Sequence, residues 1–184
     1  GIRDKLVLAT KVSGPRGDGP NDKGVSRVHI VREVENSLKR LQTDYIDLYW
    51  MHLWDSFTPI EETMRALDDL VGVGKIRYIG FSDTPAWKTT QAQVIALCRG
   101  WTPLIGLQIE YSLIERTVEG ELLPMARELG LGVTPWSPLR GGVLTGKYTR
   151  DNVQNAKPGR GRRVKEYLNE RTFVILDELN RISG

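Results

Sequence analysis

Short apolar, β-branched runs alternate with longer amphipathic stretches along the chain. Leu6–Thr10, Tyr45–Met51, Ile76–Phe81, Leu104–Leu107 and Leu131–Thr134 read as strands. Helical spacing fills the intervals over 26–41, from Pro59 to about Gly72–Gly74, over 85–99, over 119–129 and over 165–182. Pro59 suits a helix start, and Glu61 and Glu62 suit the positive end of the helix dipole. Most units run about 30 residues, an ordinary length for a strand, a crossover helix and the next strand. Strict alternation predicts an α/β fold with parallel strands and helical crossovers. A (β/α)8 barrel and an open doubly wound sheet both fit, and in both the ligand binds at the carboxyl ends of the strands.

Those ends are polar. The pattern places Lys11, His52, Ser82, Asp83, Gln108, Trp136 and Ser137 there. A lone lysine at a strand end is usually a snorkelling surface residue, and a lone histidine is often a satisfied structural group. A lysine and a histidine at the same ends of adjacent strands instead face one pocket. The ammonium there favours ionisation of a proton donor, and the imidazole orients a carbonyl oxygen.

Composition narrows the classes. The chain has 184 residues, 40% hydrophobic and 27% charged, which predicts a single globular domain. The one cysteine, Cys98, forms no internal bridge and no cysteine-rich zinc site. No apolar run reaches the roughly 18–20 residues that span a bilayer, and no secretory leader opens the sequence, so a cytoplasmic protein without a membrane partner is expected. The net charge of +3 is unevenly spread: residues 147–171 hold eight basic and three acidic residues. Lys147, Arg150, Lys157, Arg160, Arg162 and Arg163 form a patch suited to a phosphate-bearing ligand. Few aromatics accompany it, which argues against nucleic acid.

Several motifs fail on inspection. Gly141-Gly-Val-Leu-Thr-Gly146-Lys147 satisfies the P-loop spacing, but Tyr148 stands where a hydroxyl must hold magnesium, and a Pro/Gly-rich segment follows where a helix is needed. A P-loop nucleotide hydrolase is therefore only a distant alternative. Gly72-Val-Gly74 precedes a strand and lacks the third glycine of a dinucleotide fingerprint. The two histidines, His29 and His52, show no metal-ligand spacing, His29 is expected on a helix surface, and no metal is predicted.

Taken in order, Lys11 after its strand, Tyr45-Ile-Asp-Leu-Tyr-Trp-Met-His52, Ile79-Gly-Phe-Ser-Asp83, Gln108-Ile-Glu-Tyr111 and Pro135-Trp-Ser-Pro-Leu139 with Gly141–Tyr148 resemble the aldo-keto reductases. Ser82-Asp-Thr-Pro-Ala-Trp87 is similar to their aryl-alcohol dehydrogenase-like branch. The resemblance implies a (β/α)8 TIM barrel that reduces aldehydes or ketones to alcohols with NADPH, NAD being possible, and without a metal. Its substrate is a small-molecule carbonyl or alcohol. Lys11 and His52 match the family's catalytic lysine and histidine. The family's tyrosine and aspartate lie on a strand before the lysine, so this chain is expected to be an incomplete barrel domain over 1–184, roughly strands three to seven, truncated at both ends and catalytically deficient alone. Tyr49 is no substitute, because period-2 alternation turns it away from the barrel interior. Ser82, Asp83 and Gln108 would hold the nicotinamide carboxamide, and Trp136 would stack on its ring. Ser137, Pro138, Leu139, Gly141, Leu144 and Lys147 would line the cofactor path. Asp83 replaces the usual asparagine and can only accept a hydrogen bond. A non-catalytic NADP-binding sensor of the same fold is the alternative.

Overall fold

A computed structural model describes residues 1–152 and 164–183. Five strands alternate with helices: β1 (Ala9–Val12), α1 (Arg27–Leu41), β2 (Ile46–Met51), α2 (Ile60–Gly72), β3 (Ile76–Ser82), α3 (Ala86–Arg99), β4 (Leu104–Glu110), α4 (Leu122–Glu128), β5 (Gly132–Trp136), α5 (Val164–Tyr167) and α6 (Glu170–Ser183). Short 3-10 turns cover Arg3–Lys5, Thr117–Glu119 and Arg140–Thr145. The strands form one parallel sheet in the order β1-β2-β3-β4-β5, the sequential parallel arrangement of part of a (β/α)8 barrel.

The chain divides into two compact units. One comprises Gly1–Ile109 with Glu119–Thr134, the other Glu110–Val118 with Pro135–Gly184.

In the first unit, β2 is buried at Ile46, Asp47, Tyr49, Trp50 and Met51, as expected of a strand covered on both faces. One face is shaped by Trp50. A Cβ added at Gly80 would run into its indole ring, and one added at Gly106 would meet the ring at 3.5 Å. Two strand glycines thus give the indole room to lie against the neighbouring strands, the usual reason for glycine inside a sheet. The opposite face carries Tyr49, Ile79 and Leu107, all fully buried. Glu33 and Arg40 of α1 act electrostatically on the Tyr49 phenol, which puts it toward the helix side and away from Trp50. The orientation expected from period-2 alternation holds. A register shift between Ile79 and Gly80 pairs Ile79 with Leu104 but Gly80 with Gly106, so Ser82 falls opposite Gln108.

Three expectations need correction. The first strand is Ala9–Val12 rather than Leu6–Thr10, because pairing with β2 begins at Ala9 opposite Leu48, while Leu6 and Val7 are exposed. Lys11 therefore lies inside a strand instead of after one. His29 is fully buried rather than on the surface. The long β1–α1 loop folds over the start of α1, with Asn21 O 3.1 Å from His29 Nδ1 and Arg32 donating to Asn21 O at 2.7 Å. The last helical stretch is two helices, since the Asn169 side chain accepts from the Thr172 N–H at 3.1 Å and starts α6 afresh.

In the second unit, Leu144, Phe173 and Leu176 form a buried cluster, flanked by Ile114, Leu168 and Leu179. Its polar counterpart is Arg140, 7% exposed, whose guanidinium pairs with Glu110 and Glu115 and stacks over the Tyr167 ring at 3.9 Å.

Candidate active site

Lys11 sits opposite Trp50 in the β1–β2 register. Two residues beyond Trp50, Gly80 and Gly106 come His52, Ser82 and Gln108, so alternation sends all four polar side chains off the face that Trp50 occupies. The contacts agree. Lys11 Nζ donates to Gln108 Oε1 across 97 residues of sequence. The Asp83 N–H donates to Gln108 O at 3.1 Å, and the His52 N–H donates to Val12 O at 2.8 Å, which anchors the residue that follows β2 to the end of β1. Asp83 takes a left-handed backbone with φ 43°, a conformation that aspartate and asparagine tolerate better than most residues.

The electrostatics tie these groups together. Partial burial pulls Lys11 below its ordinary value, and the Asp83 carboxylate resists that pull. His52 is also lowered, first by partial desolvation and then by the Lys11 charge, with Asp83 again opposing. At neutral pH the imidazole is uncharged and can donate one hydrogen bond to a carbonyl oxygen. The Ser82 hydroxyl is buried and has no hydrogen-bond partner. Such an orphaned group, on a residue that lies opposite Gln108 in the β3–β4 register, fits an amide-bearing ligand, since an amide both donates and accepts.

The remaining predicted cofactor residues lie at the end of β5 and after it. Trp136 ends β5, and its carbonyl accepts from the Tyr111 N–H at 3.4 Å. Ser137, Arg140, Gly141, Gly142 and Gly146 all have positive φ. This coiled path turns Pro138 and Leu139 outward, and Leu139 is exposed. The Lys147 ammonium folds back to where a Cβ on Gly142 would be, 2.8 Å away, and lies 5.0 Å from the Tyr148 ring. Leu144 is buried in the second unit's apolar cluster, so its backbone, not its side chain, is what it offers a ligand. The P-loop spacing is occupied by the 3-10 turn Arg140–Thr145, not by a loop capping a helix.

Of the six basic-patch residues, Lys147 and Arg150 fall within the described residues. Arg150 is committed to Glu170 and Asp177 at 2.7 and 2.9 Å. Lys157, Arg160, Arg162 and Arg163 lie outside the described residues. Among the described residues no group of acidic, histidine and cysteine side chains could hold a metal, and no helix is long and apolar enough to cross a membrane.

Sequence reasoning missed Trp50 and its two glycines, and Asp55. The glycines had a signal, since each interrupts an apolar strand run. The tie from Asp55 to Val25 had none, because Val25 lies in another loop.

The family model for the aldo/keto reductase family matches residues 1–183. An uncharacterized oxidoreductase of Bacillus subtilis, YrpG, is 50% identical over 155 residues, covering 82% of this chain and 48% of its own length. A probable voltage-gated potassium channel subunit beta of Oryza sativa is 40% identical, covering 99% of this chain and 55% of its own. A probable aryl-alcohol dehydrogenase of Saccharomyces cerevisiae, AAD4, is 35% identical, covering 93% and 54%. The chain spans about half the length of the curated relatives it matches. With its lysine, histidine and glutamine gathered at one end of a sequential parallel sheet, this chain belongs to the aldo/keto reductase family.

Proposed function

We propose that the protein is an NADPH-dependent carbonyl reductase, reducing aldehydes or ketones to alcohols, and that this chain carries the lysine–histidine half of its catalytic set together with the carboxamide end of its cofactor site. The observation that carries the reading is the Lys11–Gln108 contact with His52 and Asp83 close enough to shape both charges. Lys11 supplies a positive field that stabilises the ionised form of a proton donor. His52, neutral at pH 7, donates to the substrate oxygen and fixes its direction. Ser82, Asp83 and Gln108 hold the carboxamide, with Ser82 supplying a hydroxyl that has no other partner. Trp136, Ser137, Pro138, Leu139, Gly141, Leu144 and Lys147 are assigned to the same cofactor by family resemblance. The nicotinamide group supplies the hydride when bound.

Fluorescence titration of the full-length protein with NADPH and NADH, followed by rates on a panel of aldehydes, tests this directly. Tighter NADPH binding and NADPH-dependent turnover are expected. Binding without turnover on any carbonyl would instead favour a second reading, a cofactor-binding sensor, which the 40% identity to a channel beta subunit supports.

A further inference from the structure

A cleft of about 690 Å³ is lined by the loop after β1 and the loop after β2, including Ser13, Asn21, Lys23, Trp54 and Phe57. One wall begins two residues after Lys11, the other one residue after His52. Trp54 stands edge-on to Trp87, with ring centroids 5.4 Å apart and planes at 82°. That contact orients the indole but does not join the two walls.

Asp55 joins them. Its Oδ2 accepts from the Val25 N–H at 3.2 Å, in the first loop, and from the Thr58 hydroxyl at 2.7 Å, in the second. Its Oδ1 accepts from the Phe57 N–H at 2.8 Å. Every partner is a donor, so a carboxylate satisfies all of them and an amide does not. Gly24 has φ +83°, and a Cβ there would collide with Asp55 Oδ2, so the first loop approaches the carboxylate as only glycine allows. The Thr63 hydroxyl also donates to Val25 O, at 3.0 Å, but it comes from α2 rather than from the loop after β2.

We propose that Asp55 is a positioning residue: by tying the loop after β1 to the loop after β2, it sets the width of this cleft and so selects, by size, which carbonyl substrates are held against Lys11 and His52. The proposal rests on the carbonyl reductase reading above. Substrates that fill the cleft depend on the tie, and those too small to touch both walls do not.

The test uses the full-length protein with NADPH and two aldehydes, propanal and 2-naphthaldehyde, with hydrogen exchange measured on the same samples. In Asp55→Ala the KM for 2-naphthaldehyde should rise about tenfold, on the scale of one charged hydrogen bond lost. Its kcat, and both constants for propanal, should stay within about twofold, since the reacting groups are untouched. Amides in 13–26 and 53–58 should exchange faster. Gly24→Ala should reproduce the split from the other side of the tie, and the double variant should go no further than the larger single effect. If Asp55→Ala fails to fold, Thr58→Val removes one donor and should give a shift of about threefold in the same direction. Equal losses for both aldehydes, or unchanged KM values with faster exchange, overturn the proposal. A wild-type protein that reduces neither aldehyde instead sinks the carbonyl reductase reading and takes this one with it.

Discussion

The two units hold their candidate site residues by different means. In the first, the backbone of parallel strands aims Lys11, Ser82 and Gln108, with His52 one step past β2. In the second, residues 137–146 follow an irregular path with five positive φ values, two of them at non-glycine positions, Ser137 and Arg140. That path is held by Arg140, whose charge is engaged by two carboxylates and an aromatic ring. A sheet spreads its hold over many backbone hydrogen bonds, whereas a strained loop concentrates it in one side chain. Substitutions in the first unit should therefore change chemistry or packing, and a substitution at Arg140 should release a segment.

The largest expected effect is chemical. In the full-length protein, Lys11→Met should lower kcat by a factor of about 10² to 10⁴, the range for removing a group that assists proton transfer, while NADPH dissociation constants move by only a few-fold. A near-normal kcat in stopped-flow turnover would detach Lys11 from the reaction.

Next comes the loop. Arg140→Ala takes the cation away from Glu110 and Glu115, but these carboxylates keep 28% and 23% exposure and Glu115 still accepts from Thr117, so the cost should be about 2 to 3 kcal/mol, below that of a fully buried pair. Limited proteolysis should then cut within 137–146, while hydrogen exchange in β1–β3 stays at the parental rate. Uniform loss of protection in both would erase the contrast.

Packing follows. Gly80→Ala drives a methyl into the Trp50 ring and should destabilise by roughly 1 to 3 kcal/mol in urea, as overpacked cores do. Gly72→Ala meets nothing within 4 Å and should be neutral or stabilise by up to about 1 kcal/mol at the end of α2. Equal effects at both glycines would mean that the indole is not seated between the strands.

The smallest effect sharpens the electrostatics. The His52 imidazole should titrate below its ordinary 6.5, and its signal in a proton NMR titration should move upward in Lys11→Met and downward in Asp83→Asn. Because the folded value is depressed, the unfolded chain takes up a proton first. The His52 contribution to stability is therefore lost as pH falls from about 6.5 through the lower folded value. A midpoint that ignores Lys11 would separate the two residues.

Alternation by itself carried most of the strands and helices, their parallel direction and most of the polar strand ends, because apolar spacing of two or of three to four residues is a local property that survives in the unfolded chain. It also turned Tyr49 away from the Trp50 face without any knowledge of partners. Family resemblance added roles to Lys11, His52 and Gln108 that spacing left open. What local periodicity could not see depends on register and on segments distant in sequence. β1 starts at Ala9 because its ladder with β2 begins there, opposite Leu48, and His29 is buried because a loop lacking any periodic pattern folds over it. Ser82 meets Gln108 only through a one-residue shift between β3 and β4. Lys11 reaches Gln108 across 97 residues, and Asp55 reaches Val25 across 30. Contacts of that range are fixed by how strands align and loops close in space, and their energies depend on burial and geometry that no window along the sequence contains.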